Sequence, residues 1–431
     1  MSIPFFESTD RLWLAKIENL LVANLDRKRR NTVVAGKPYV LHVEPFNGCS
    51  LRCVECMQTL WAGMYPPGRM TLDMFQTIMA EYGETAITLR LYNYGEPLLN
   101  SDVYDMVRMA KSYKINTVIS SNMNIVDPEA IVDCGLDVLV MSIDGATQEV
   151  YETYRRGGNL ERVLANVRAI VEEKRRRKTK APFLIWQFLD FEHNHRELGA
   201  ARKLAQQLGV DHFYSGVPQI SNPESSLRAW HEHVEARTPV VDSLPAVNIN
   251  GEPETLPDVC NWLWTGISVT ATGDVFPCCV LFTPETSFEN IQSKQDISGL
   301  FNCERFIHVR EFFTKHRPFT QGEEKRLEDR YCSFCDDSVH HSSLLHCESC
   351  TFYSSTYVVD AAAVTGALRS ICGIPNDHMS ARIGELHGPL SEVSESAMME
   401  LLDRVRDMKQ GNLKAAGFKT PWWRRLLRFL H

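Results

Sequence analysis

The sequence predicts an α/β protein, a partial (β/α)6 TIM-like barrel followed by a small cysteine-rich domain and a helical tail. Three observations carry that prediction. Between residues 38 and 216, short β-branched or apolar runs alternate with longer stretches of helical periodicity, the pattern of βα units and a parallel sheet. From 259 to 352 the periodicity fades while cysteines accumulate, and from 353 to 431 the pattern is helical again.

Strands are expected at 39–44, 86–92, 116–121, 136–143, 183–189 and 212–215. Thr71 is placed to cap the helix that follows it, and Asp127 with Pro128 caps and starts another. Helical periodicity runs through 159–174 and 196–208, where Gly209 supplies a stop. Six such units are too few for a closed eight-stranded barrel, and in parallel α/β folds ligands sit beyond the carboxyl ends of the strands. Residues 217–258, rich in Pro, Asn, Ser and Gly, read as a linker, and residues 1–37 as an amphipathic helical segment.

A chain of 431 residues has room for two or three domains, and 44% hydrophobic with 23% charged residues is an ordinary globular composition. The net charge of −8 argues against a general nucleic-acid binder. The basic run at 174–180 reads as a solvated helix end before Pro182. No apolar stretch approaches the ~20 residues that span a bilayer, and the first residues lack the basic and apolar regions of a signal peptide. The expected location is the cytoplasm. Thirteen cysteines in such a chain point to metal ligands rather than disulfides, because that compartment keeps thiols reduced.

Directly after the first strand comes NGCSLRCVEC, which places Cys49, Cys53 and Cys56 on one loop at the ligand-binding end of the barrel. Three thiolates can hold three irons of a [4Fe–4S] cube and leave the fourth iron without a protein ligand. A structural zinc site would need a fourth ligand closing a tetrahedron, and His42, the nearest extra candidate, lies inside the strand.

At these residues the sequence resembles the radical S-adenosylmethionine (SAM) superfamily, and the resemblance runs through residues 39–215. It implies that the open iron binds the amino and carboxylate groups of SAM, whose reductive cleavage gives a 5′-deoxyadenosyl radical. It also implies an electron donor such as flavodoxin or ferredoxin. Tyr94-Gly95-Glu96-Pro97 is similar to the family's GGEP motif, with Tyr94 in place of the first glycine. The resemblance implies that Gly95, Glu96 and Pro97 hold the SAM ammonium. Asn122, at the end of the third strand, and Ser142, in a stretch similar to the family's SxDG, are implied contacts. Arg155 is the implied partner of the SAM carboxylate, a group suited to a guanidinium fork. Gln187 is placed either to reach the adenosine or to satisfy polar groups of the barrel interior.

Further along, Cys260 and Cys278 are followed by the C-x2-C pairs Cys332/Cys335 and Cys347/Cys350. This stretch resembles the SPASM or shorter Twitch extension of the same superfamily, which binds auxiliary [4Fe–4S] clusters. Spacing alone is also compatible with a zinc ribbon. The simplest partition is one auxiliary cluster on Cys260, Cys278, Cys332 and Cys335. Cys347, Cys350 and Cys372 then either complete a second cluster or clip a loop, and Cys134, Cys279 and Cys303 read as packed thiols.

The expected function is SAM cleavage followed by abstraction of hydrogen from a substrate that is a peptide, a sugar or a lipid-linked small molecule. The rival is a non-catalytic iron–sulfur or zinc scaffold. Residues 12–30 and 421–431 each combine apolar residues with a basic cluster, the composition of an interfacial membrane helix, and so raise a peripheral contact with the inner membrane face.

Overall fold

The computed structural model describes residues 8–60, 62, 67–216, 218, 226–228, 262–279, 287–292, 294–315 and 395–410. The six expected strands form as β1 Val40–Val43, β2 Thr88–Leu91, β3 Asn116–Ser121, β4 Val138–Ser142, β5 Phe183–Leu189 and β6 His212–Gly216. Each pairs in parallel with the next. Their outward residues, among them Leu41, Leu89, Ile119, Leu139 and Trp186, are fully buried in one core. Helices packed on that core include α3 Leu72–Tyr82, α4 Val103–Ser112 and α7 Leu160–Arg177, through Phe75, Met106 and Val167. In β4 and β5 burial alternates residue by residue, the period that a sheet with one packed face imposes. On the inner face, Ser142, Gln187 and Tyr214 lie in register across β4, β5 and β6.

Local signals act where expected. The side chains of Thr71, Asp127 and Asn159 accept hydrogen bonds from the first turns of their helices, and Pro128 opens the short helix α5 Pro128–Asp133. Gly209 closes α8 Leu198–Leu208 at φ 82°, in the left-handed region where a side chain is strained. The regular part of α8 starts later than the periodicity predicts, because His195–Glu197 form a 3-10 turn. The basic run ends α7, with Lys174 paired to Asp211 and Arg177 to Asp133 and Glu173.

The sheet goes on past the sixth strand. β7 Gly266–Val269 lies on the far side of β1, parallel to it, and β8 Asp274–Phe276 and β9 Glu289–Asn290 add an antiparallel hairpin. Among the described residues the order is β6-β5-β4-β3-β2-β1-β7-β8-β9. Residues of the cysteine-rich stretch thus complete the barrel sheet. Arg310, on α10 Glu304–Lys315, fixes this junction from a fully buried position. It donates to the carbonyls of Leu263 and Phe301, and to that of Thr32 ahead of β1.

Helix α1, Ser8–Arg29, corrects the interfacial-helix reading of residues 12–30. One side docks on the barrel. Lys16 is fully buried and donates to the carbonyls of Gly83 and Ala86, while Asp26 accepts from the backbone N–H groups of Ala35 and Gly36. The approach is close enough that a Cβ on Gly36 would lie 2.6 Å from the Ala23 Cα. On another side Leu14, Ile17, Leu21 and Leu25 pack on Met398, Leu402 and Val405 of α11, Glu395–Lys409. Leu14, Ile17, Leu20, Leu21 and Leu25, which sequence composition offered to a bilayer, are buried inside the protein. Residues 421–431 lie outside the described residues, as do Cys260, Cys332, Cys335, Cys347, Cys350 and Cys372. No helix among the described residues is long and apolar enough to cross a membrane.

Candidate active site

The loop leaving β1 at its carboxyl end carries Cys49, Cys53 and Cys56, and neighbouring strands hold it from several sides. The Glu44 side chain accepts from the N–H groups of Tyr94 and Gly95, and the Glu96 N–H donates to the Gly48 carbonyl at 2.8 Å. Gly95 is required by contact rather than by φ, since a Cβ there would lie 1.8 Å from the Phe46 carbonyl oxygen. From the other direction, Arg52 N–H donates to the Arg156 carbonyl and Val54 N–H to that of Tyr154. The loop has little freedom of its own.

Glu96 is buried and caps the 3-10 turn Pro97–Leu99. One carboxylate oxygen accepts from Leu98 N–H, and the other from Asn122 N–H at 2.8 Å. Burial raises its carboxyl to about 7, partly offset by those two hydrogen bonds. Asn122 is itself oriented: its amide oxygen accepts from Asn124 N–H, and its Nδ2 points to the Cys49 sulfur at 3.5 Å. Leu51 N–H approaches the same sulfur at 3.4 Å. Ser142 ends β4 on the inner face beside Gln187.

Arg155 comes to the cysteine loop from the end of the helix after β4. Its Nε donates to Asp144 Oδ2 at 2.5 Å and its Nη1 lies 3.8 Å from the Cys53 sulfur. Asp144 is fully buried and accepts from Leu189 N–H at 2.6 Å. Three contributors were missed at the level of sequence: Glu44, Asp144 and Asn124. Asp144 stands inside the SxDG-like string. Glu44 gives no local signal, because it acts on backbone groups about fifty residues away, and Asn124 orients Asn122 from two residues further on with no motif to mark it.

The donor set fits an iron–sulfur cluster. Burial pushes the Cys49 thiol up to about 11 and raises Cys53 and Cys56 as well, so without iron these groups are protonated thiols. Iron displaces those protons when it binds. Among the described residues no three Cys, His, Asp or Glu side chains already converge at metal-ligand distances. The second cysteine region comes near the same loop: burial holds the Tyr94 phenol well above its usual range, and Cys279, Cys278, Glu44 and Cys56 add electrostatically. Cys279 is buried and Cys278 half-buried, at the end of the β8 hairpin. Cys134 is a packed thiol, as expected, with its S–H directed to the Ile131 carbonyl.

A cysteine loop at the carboxyl end of the first strand of an open parallel barrel, met by a buried glutamate from the second, defines the radical SAM class. Comparison with known proteins agrees. The family model for the radical SAM superfamily matches residues 43–185, and that for the SPASM iron–sulfur cluster-binding domain matches residues 260–336. Residues 43–185 belong to the radical SAM superfamily, and residues 260–336 to the iron–sulfur cluster-binding SPASM domain that follows it in the chain. The members of these two families bind [4Fe–4S] clusters and SAM.

Among curated relatives, an AdoMet-dependent heme synthase of Methanosarcina barkeri is 28% identical over 194 residues, covering 44% of this chain and 53% of that protein. The mycofactocin maturase MftC of Mycobacterium ulcerans is 30% identical over 127 residues, covering 28% of this chain and 33% of the relative. The chain thus spans about half or less of the length of these relatives. SuiB of Streptococcus suis shares the fold, with a TM-score of 0.51 at 14% identity, over 66% of this chain and 70% of SuiB.

Proposed function

We propose that this protein reductively cleaves SAM and uses the resulting 5′-deoxyadenosyl radical to abstract hydrogen from a substrate. The observation that supports this best is the convergence of Glu96 and Asn122 on the Cys49–Cys53–Cys56 loop, which sets an acidic group and an oriented amide beside three thiols that can hold a cluster with an open iron. A [4Fe–4S] cluster bound there by the three cysteines supplies the electron that breaks the carbon–sulfur bond.

The rest is binding and exclusion of water by the chain itself. The Glu96 carboxylate receives the SAM ammonium, in reach of the backbone of Gly95 and Pro97, and Ser142 and Gln187 offer hydroxyl and amide groups to the nucleoside. A one-electron protein such as flavodoxin or ferredoxin is the expected reductant. The substrate is a peptide, a sugar or a lipid-linked small molecule, and the relatives' names, a heme synthase and a mycofactocin maturase, do not single out one of these.

The test is anaerobic incubation of the reconstituted protein with SAM and dithionite, with 5′-deoxyadenosine as the readout. Production of 5′-deoxyadenosine that requires iron supports the reading. A fully reconstituted protein that yields none leaves the scaffold alternative.

A further inference from the structure

We propose that the Asp144–Arg155 pair is a tuning device for the cluster, delivering a cationic hydrogen bond to the Cys53 thiolate, and that Arg155 is not the clamp for the SAM carboxylate. The inference rests on the assignment of Cys49, Cys53 and Cys56 as cluster ligands.

Two of the three guanidinium nitrogens are already engaged in this structure. Its Nε is taken by Asp144 Oδ2 at 2.5 Å, and the fork then turns Nη1 toward the Cys53 sulfur, 3.8 Å away. Asp144 cannot swing to release it. The carboxylate is fully buried, its Oδ1 accepts from Leu189 N–H, and its backbone carbonyl accepts from Asn194 Nδ2 at 3.0 Å. The guanidinium also lies 4.9 Å above the Tyr154 ring, and Tyr154 in turn packs with Cys53, Leu51 and Phe191. Arg155 is thus held on one side by a buried acid, on a second by an aromatic face, and on a third by the sulfur.

The three sulfurs are not equivalent. Cys49 receives neutral donors, the Leu51 N–H and the Asn122 amide, whereas Cys53 faces the cationic one. One-electron reduction adds negative charge to a cluster and its thiolates. A positive donor on a thiolate stabilises the reduced form and raises the reduction potential, by the same means as other outer contacts to iron–sulfur ligands. Removal of the cation makes reduction harder. Binding of SAM through Glu96 is not touched by that change.

The experiment is an anaerobic redox titration of the reconstituted holoprotein followed by electron paramagnetic resonance. Wild type, Arg155→Gln and Arg155→Lys are compared, with SAM affinity measured by calorimetry on the same samples. For Arg155→Gln, the ratio of reduced to oxidised SAM-site cluster at the wild-type midpoint potential falls about tenfold, or about 59 mV for one electron. Arg155→Lys keeps the charge and recovers part of the loss. The SAM dissociation constant stays within about twofold in both, well under 1 kcal/mol.

A tenfold or greater loss of SAM affinity at unchanged potential overturns the proposal and restores the carboxylate role. Equal potentials in all three proteins also overturn it. A wild-type cluster whose spectrum does not respond to SAM counts against the proposed function, and leaves the contact between Arg155 and Cys53 to be judged by the potentials alone.

Discussion

The two cysteine regions of this protein are built in opposite ways. In the first, three ligands occupy eight consecutive residues, 49–56, and the loop that carries them is pinned by Glu44, Gly95, Glu96 and the backbone of 154–156. In the second, the cysteines are spread from 260 to 350, and Cys278 and Cys279 follow β8 of a short hairpin on the barrel's edge. Closing a short loop costs little entropy and can be done by the barrel alone, whereas a site gathered from distant segments must be closed against a larger loss. The first region is a property of the barrel. For the second, metal is expected to unite the parts, as it does in small metal-bound domains.

That difference is broken most directly by removing one set of ligands. Cys49→Ala, Cys53→Ala or Cys56→Ala is expected to abolish SAM cleavage, while iron analysis and the visible chromophore still show a [4Fe–4S] cluster on Cys260, Cys278, Cys332 and Cys335. Zinc in place of iron at the second site, or loss of both clusters together, would show that the two regions are not independent.

The next largest effect is expected at Gly95. A methyl group there has no room against Phe46, so Gly95→Ala must displace the cysteine loop, at a cost on the order of 1–3 kcal/mol for an overpacked site. Iron content at the first site should fall while the second cluster's is kept, which reconstitution of the variant reads directly.

A smaller and sharper effect concerns pH. With the Glu96 carboxyl raised to about 7, only its ionised form can hold an ammonium group, so SAM affinity should rise as pH climbs through that value. Glu96→Gln should therefore lose more affinity at pH 8 than at pH 6, and a loss equal at both would remove the ammonium role. The linkage to folding has the opposite sense. A carboxyl whose native pKa lies above its unfolded value contributes stability below about 4.5 that is lost as pH rises through about 7. SAM binding offsets this loss.

Most of the fold was legible because it is written in local periodicity. β4 and β5 alternate in burial as their sequences alternate in polarity, and Thr71, Asp127, Asn159 and Gly209 act within a turn of where they stand. β7 was not legible. Gly266–Val269 is four residues long, all buried, and nothing in so short a run tells which strand it will join. The site divides in the same manner. The cysteine loop and the Gly95-Glu96-Pro97 turn show as motifs, but the approach of Arg155 to Cys53 is set by Asp144, whose own position is set by Leu189 and Asn194. Helix α1 was misread for a related reason, since its composition shows an apolar face and not the surface that covers it.

The test with the smallest effect on the clusters is on that helix. Leu21→Ala opens a cavity between α1 and α11 and should cost about 2–5 kcal/mol of stability, seen in a denaturant titration. Both clusters' spectra should be unchanged if the barrel holds its loop unaided.

The pairing of β1 with β7 also bears on how the chain is made. β1 leaves the ribosome with one edge bare, and the strand that covers it follows more than two hundred residues later. At ribosomal speeds of roughly 5–20 residues per second, the nascent barrel carries an open seam for about 10–40 seconds. During that interval the edge of Val40–Val43 is a template for any other extended segment, a second nascent copy included. A recombinant fragment stopped at Gly216 keeps that seam for good and is expected to aggregate, while one carried through Lys315 has the means to close it.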